Sequence, residues 1–170
     1  MRAFGKKLEG KRYRLRPGSY GLAWRAASRQ LLLVETRDGL EIPGGGLEAG
    51  ETPAEALKRE FLEETGYAIR CSRPLVSLRQ FLNQPEYDKY YDKRCTYFLV
   101  GLGSALGPPQ EEGHRPFWCS PSEALGQMAE ECQEWLLRCF LQPQVTKLDV
   151  PLLAADLLKE AEQEPSLDEF

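Results

Sequence analysis

Three glutamates, Glu60, Glu63 and Glu64, stand close together in "PGGGLEAGETPAEALKREFLEETGY", shortly after the consecutive glycines Gly44, Gly45 and Gly46. Like charges at helical i,i+3 and i,i+4 spacing repel. A helix built only for packing has little reason to collect them, so positive charge is expected among them. Hard oxygen donors grouped in this way suit Mg²⁺ or Mn²⁺, which prefer carboxylates, carbonyls and water to imidazole or thiolate. The chain has one histidine, His114, and its five cysteines form no CxxC pair, which argues against a zinc site. Glycine ahead of the helix lets backbone approach a ligand closely and leaves a carbonyl free for a metal shell. A cation so placed would bridge phosphate oxygens, polarise phosphorus and help generate hydroxide from water. The competing reading is an ordinary solvated face of a Glu-rich helix.

The elements that must position these groups are legible around them. Thr52 suits an N-cap, with Pro53 at the first helical position and Glu55 three residues after the cap, a capping-box pattern. The helix is expected to run to Thr65 and stop at Gly66 in a left-handed cap. At 100° per residue, Ala54, Leu57 and Phe61 share an apolar side. Glu60, Glu63 and Glu64 cluster around Ala56, with Arg59 at their border to neutralise or orient one of them. Upstream, "YGLAWRA" and "QLLLVET" read as a hairpin, and "LEI" as a short strand before a glycine-rich loop. Downstream, "AIRCSRPLVSLRQFL" and "KRCTYFLVGL" read as strands joined by a mobile loop, "NQPEYDKYYDK". A second loop, "LGSALGPPQEEGHR", leads to a short strand "PFWCS". A short helix capped by Ser120 follows, and then an amphipathic helix, "EECQEWLLRCFL", with Cys132, Trp135, Leu136 and Cys139 in its apolar stripe. Strands and helices alternate irregularly, which gives an α/β class with a mixed sheet.

The spacing of the chemical residues is specific. From Gly45 it runs five residues to Glu51, seven more, then Arg59-Glu60-Phe61-x-Glu63-Glu64-x-Gly66-Tyr67. This resembles, position for position, the Nudix hydrolase signature Gx5Ex7REUxEExGU, with U a bulky apolar residue. Phe61 and Tyr67 are aromatic where aliphatic residues are more usual. Chance agreement at seven fixed positions is on the order of 10⁻⁸ per start site, which sets the ordinary-helix reading aside. The resemblance implies a Nudix α/β/α sandwich. It also implies Mg²⁺-dependent hydrolysis (Mn²⁺ being the other candidate ion) of a nucleoside diphosphate linked to another group, giving a nucleoside monophosphate. Carried over, Glu60, Glu63 and Glu64 are metal ligands, with the Gly44 carbonyl completing the shell and Glu60 also available as base. Arg59 orients the glutamates, paired with Glu51, and Gly45, Glu51 and Gly66 are structural positions. A late-loop glutamate is expected from Glu111 or Glu112, with Glu112 preferred, and His114 is read as loop packing. Arg25 and Arg37 are candidate phosphate-binding residues. The resemblance is nearest to small bacterial MutT-type members. The expected substrate is therefore an ordinary or oxidised nucleoside triphosphate, with ADP-ribose or nucleotide sugars, or a non-catalytic nucleotide sensor, as alternatives.

Composition bounds the rest. The 170 residues are 42% hydrophobic and 28% charged, enough for one domain with a real core. No secretory signal and no membrane-spanning run are read, and the cysteines suit buried, reduced thiols, so the expectation is cytoplasmic. A net charge of −4 argues against a duplex nucleic-acid binder, and neither nucleic acid nor a membrane is expected as a partner. Residues 1–16 nevertheless carry seven Lys and Arg against Glu9 alone. The division expected is a basic N-terminal arm (1–17), the Nudix-like domain (18–142), and a C-terminal helix with an acidic tail (143–170). The arm is read as solvated, or else as a basic edge that attracts phosphorylated ligands. The last helix is read as available for homodimerisation or docking.

Overall fold

A computed structural model describes residues 1–141. Its strands are β1 (Arg2–Phe4), β2 (Arg14–Arg25), β3 (Gln30–Thr36), β4 (Gly39–Glu41), β5 (Gly44–Gly46), β6 (Tyr67–Gln84), β7 (Lys89–Ala105) and β8 (Arg115–Cys119). The helices are α1 (Pro53–Thr65), α2 (Pro121–Ala124) and α3 (Glu131–Leu141). The strands form one sheet in the order β1-β6-β7-β2-β3-β4, with β5 on β2 and β8 on β3. The pairs β1·β6 and β2·β7 are parallel and the others antiparallel, so the sheet is mixed.

Alternation along β2 divides the side chains between two cores. Tyr20 and Leu22 face one side, where they join Leu31, Leu33, Tyr97 and the α3 residues Cys132, Leu136 and Leu137. Ala23 faces the other, with Leu32, Phe98, Val100 and the α1 residues Leu57 and Phe61. Helices therefore cover both faces, an α/β/α sandwich. Leu57 and Phe61 are fully buried, each contributing roughly 1.5–3 kcal/mol by leaving water. Of the expected apolar side of α1, Ala54 is exposed and Ala56 is buried instead. Ala54 lies in the first helical turn, which the sheet does not cover. Cys95, Cys119, Cys132 and Cys139 are free and buried, as small apolar residues.

Three expectations are corrected. The glycine-rich loop contains a strand: Gly44–Gly46 pairs with Gly18–Tyr20. Gly44 has φ +139°, and a Cβ there would lie 2.2 Å from the Ser19 carbonyl oxygen, so glycine permits this close pairing. The "NQPEYDKYYDK" loop is a tight reversal, with register held up to Gln84↔Lys89 and a single turn at Pro85–Tyr87 closed by Asp88 at φ +48°. Tyr13 packs against Tyr90 and Phe81 (5.7 and 5.3 Å), which buries what reads as polar loop. The basic arm is partly sheet. Arg2–Phe4 lies parallel to Leu78–Gln80, and Arg14–Pro17 parallel to Tyr91–Arg94. Residues 14–17 are all exposed, so no buried apolar alternation marks this part of the strand. The helix expected beyond Pro143 lies outside the described residues.

α1 approaches the sheet closely because Gly21 lies beneath it. A Cβ at Gly21 would stand 2.7 Å from Val100, 3.0 Å from Phe61 and 3.1 Å from Leu57. Gly21→Ala is therefore expected to destabilise the fold by about 1–3 kcal/mol through overpacking, read from the midpoint of urea unfolding. An unchanged midpoint would mean that the helix sits farther from the sheet.

Candidate metal and catalytic site

α1 begins as its sequence requires. The Thr52 side chain accepts from the Glu55 N–H, and the Glu55 carboxylate accepts from the Thr52 N–H at 2.8 Å. Gly66 ends the helix in the left-handed region at φ +75°. Between these caps, Arg59 joins the acidic residues. Its Nε and Nη2 donate to the two oxygens of Glu51 at 2.8 and 2.9 Å, and Nη2 also donates to the Gly46 carbonyl at 3.1 Å. Nη1 donates to Glu60 at 2.8 Å and to Glu63 at 3.3 Å. The positive charge expected among the glutamates is thus this guanidinium, whose planar fork matches a carboxylate bidentately. Those hydrogen bonds hold the Glu51 carboxyl down to about 2.

Gly45 makes room for Glu60: a Cβ there would fall 2.6 Å from its carboxylate carbon. Glu64 is the most enclosed of the three helix glutamates, its side chain 9% exposed. One oxygen accepts the Gly44 N–H at 2.7 Å. The other stands 3.5 Å from Nε2 of His114, whose Nδ1 is 3.6 Å from Glu111. Burial drives the Glu64 carboxyl up to about 8. The Gly44 N–H opposes that rise, while Glu111 and Glu60 add repulsion. Burial also raises the Glu60 carboxyl, against the pull of Arg59.

The late loop is docked by the end of α1. The Glu63 carbonyl accepts the N–H groups of Gln110 (2.7 Å) and Glu111 (3.2 Å), and Leu106 N–H donates to the Gly66 carbonyl at 2.9 Å. These bonds satisfy carbonyls that a helix end leaves open. They also bring Glu111 near Glu64, although Glu111, like Glu112, is exposed. Glu64, Glu111 and His114 offer ligand atoms all within 4.8 Å of one another. Of the two late-loop glutamates, Glu111 is the one grouped with Glu64, and His114, expected as loop packing, lies between two carboxylates. Its being the chain's one histidine, beside an acidic pair, was the available signal.

Arg25 and Arg37 are not brought to this cluster among the described contacts. Arg25 lies 3.8 Å over the Trp118 ring, and Arg37 is exposed in the β3–β4 turn beside Asp38. The donor set does fit a hard divalent cation: several carboxylate oxygens gathered at the helix, one of them buried with a raised pKa.

The comparisons agree with this architecture. The NUDIX domain profile matches residues 15–139, and the chain belongs to that family. Over 80 residues it is 38% identical to an 8-oxo-dGTP diphosphatase of Haemophilus influenzae, covering 46% of this chain and 53% of that protein. Over 97 residues it is 50% identical to a Bacillus subtilis protein provisionally given the same activity, covering 55% and 60%. The matched stretch thus spans little more than half the length of these relatives. The MutT protein of Methanosarcina mazei Go1 shares the fold, with a TM-score of 0.61 at 17% identity over 82% of this chain and all of that one. No helix among the described residues is long and apolar enough to cross a membrane.

The Arg59–Glu51 pair has a pH signature. The folded-state pKa of Glu51 is depressed, so its contribution is present above the unfolded value near 4.3 and is lost as pH falls towards 2. Arg59→Met is expected to lower the unfolding midpoint at pH 7. The gap from the unmodified protein should narrow between about pH 5 and pH 2. A gap independent of pH would show that the pair is not what Arg59 stabilises.

Proposed function

We propose that the chain hydrolyses the pyrophosphate linkage of a nucleoside triphosphate, ordinary or oxidised, in a Mg²⁺-dependent reaction giving a nucleoside monophosphate and pyrophosphate. The observation that carries this reading is the buried Glu64, placed by the Gly44 N–H beside Glu60 and Glu111. The 8-oxo-dGTP diphosphatase relatives support the choice of substrate. Glu60, Glu63, Glu64 and the Gly44 carbonyl would hold the metal. When bound, Mg²⁺ supplies charge neutralisation of the phosphate oxygens and acidifies a coordinated water.

The chain's own residues do the positioning. Arg59 fixes Glu60 and Glu63 through one nitrogen and is itself held by both oxygens of Glu51, so the carboxylates are set before substrate arrives. Water attacks one phosphorus: an O–P bond forms, the bridging P–O bond breaks, and the pyrophosphate oxygen leaves with the electron pair. Glu111 would accept the water's proton, with His114 Nδ1 3.6 Å from it.

A hydrolysis panel tests the reading, with products identified by mass spectrometry in Mg²⁺ and in EDTA. The panel comprises nucleoside triphosphates including an oxidised guanine form, ADP-ribose, dinucleoside polyphosphates and capped RNA ends. Metal-dependent release of a monophosphate and pyrophosphate from a triphosphate is expected. AMP with ribose phosphate would move the protein to the ADP-ribose class, and nucleotide binding without turnover to the sensors. Glu64→Gln should cut kcat/KM far more than threefold. A loss within threefold, under about 1 kcal/mol of barrier, would overturn the metal assignment.

A further inference from the structure

The acidic chain carries a basic groove on a part of the sheet that the hydrolytic site does not use. It lies where Gly10–Leu15 passes the tip of the β6–β7 hairpin and has a volume of about 1060 Å³. Lys11, Arg12, Arg14 and Lys89 line it, and Asp88 is the one acid among its nine lining residues. Asp88 is 3.4 Å from Lys11. Arg12 and Arg14 make no ion pair among the described residues. Four cations are thus gathered against one carboxylate on a chain of net charge −4, a local field opposite to that of the whole.

Tyr13 and Tyr90 line the groove with these cations, and Tyr87 and Tyr91 flank it in the chain. Lys11 Nζ is 4.8 Å over the Tyr90 ring, Lys89 Nζ is 5.8 Å over Tyr87, and Arg16 is 5.5 Å over Tyr91. Tyr87 is 65% exposed at the hairpin tip. Tyr13 is fixed by accepting the Leu8 N–H at 3.0 Å and by bonding to Asn83, so one wall is rigid. Beyond Arg14 the strip continues through Arg16, whose Nε lies 3.8 Å from where a Gly46 Cβ would be. From Arg14 to Gly18 the strand covers roughly 13 Å at 3.3 Å per residue.

A positively charged groove interleaved with aromatic rings is the combination that holds single-stranded nucleic acid, the cations tracking phosphates and a ring stacking on a base. We propose that this groove binds a single-stranded nucleic-acid segment through its backbone, without sequence preference, as a site separate from the carboxylate cluster. A concave groove with rings on its walls favours this ligand over a flat anionic membrane surface. Tyr87, exposed at the hairpin tip next to the lining residue Asp88 but outside the wall itself, is assigned as the stacking residue, and the four lining cations as the phosphate contacts. The site does not depend on the hydrolase reading, because it shares no residue with the metal cluster.

The test is fluorescence anisotropy of the full chain with a 12-nucleotide oligothymidylate labelled at its 3′ end, in EDTA, from 50 to 200 mM NaCl. Log affinity should fall linearly with log salt. In the K11A/R12A/R14A/K89A variant, affinity at 50 mM salt should drop at least tenfold. Its salt slope should shrink by about 3, from roughly 0.7 per lost phosphate contact. The charge-retaining K11R/R12K/R14K/K89R variant should stay within threefold, which separates charge from misfolding. Tyr87→Ala should weaken binding about fivefold or more. Glu64→Gln should leave binding unchanged, so that loss of hydrolysis and loss of this site are read separately. The proposal is overturned by no salt-dependent binding, or by equal binding of the alanine variant. Charge-dependent binding to phosphatidylserine vesicles without binding to the oligonucleotide would also overturn it.

Discussion

The structure depends on keeping several carboxylates close together at the edge of a low-dielectric interior. Left alone, Glu60, Glu63, Glu64 and Glu51 would repel one another and the helix would gain nothing from holding them. Arg59 answers part of that repulsion by spending all three of its guanidinium nitrogens on Glu51, Glu60, Glu63 and the Gly46 carbonyl. Glu64 is left outside this arrangement. It receives a single backbone N–H and lies against Glu111 and His114, so burial dominates and its carboxyl rises to about 8. The site therefore contains two extremes of carboxylate: Glu51, held ionised by the arginine, and Glu64, pushed up by burial. Environments that push neighbouring carboxyl groups apart in this way are the mark of chemistry rather than of packing.

The remainder of the fold can be read as what that arrangement requires. β5 must lie close enough for Gly44 to donate to Glu64 and for Glu60 to lie where a side chain of residue 45 would otherwise be, so glycine is needed at both positions. α1 must be seated firmly on the sheet, which Gly21 permits and Leu57 and Phe61 enforce. The late loop must return to the end of the helix, and it does so through the Glu63 and Gly66 carbonyls. On the opposite face, α3 closes the second core and leaves the carboxylate face to α1.

Much of this was legible in the sequence because it is written in local spacing. The cap at Thr52, the stop at Gly66, the clustering of Glu60, Glu63 and Glu64 and the role of Arg59 follow from positions within a few turns of one helix. What stayed hidden depends on partners distant in the chain. Gly44–Gly46 reads as loop because glycine carries no strand signal, and only its pairing with Gly18–Tyr20 makes it a strand. Arg14–Pro17 reads as arm because all four residues are exposed, and only the pairing with Tyr91–Arg94 makes it a strand. The choice between Glu111 and Glu112 depends on which way a docked loop turns, and adjacent identical residues carry no information about that. Arg25 and Arg37 were chosen for their chemistry alone, and the fold sends one to Trp118 and the other to solvent.

The central claim is that burial keeps Glu64 protonated near neutral pH until a divalent cation displaces the proton. Isothermal titration of Mg²⁺ at pH 7, repeated in buffers of different ionisation enthalpy, measures the protons released per ion bound. The account predicts release of about one proton per Mg²⁺, affinity that rises between pH 6 and pH 8, and loss of both effects in Glu64→Gln. Binding with no proton release and with the same affinity at pH 6 and pH 8 would contradict it.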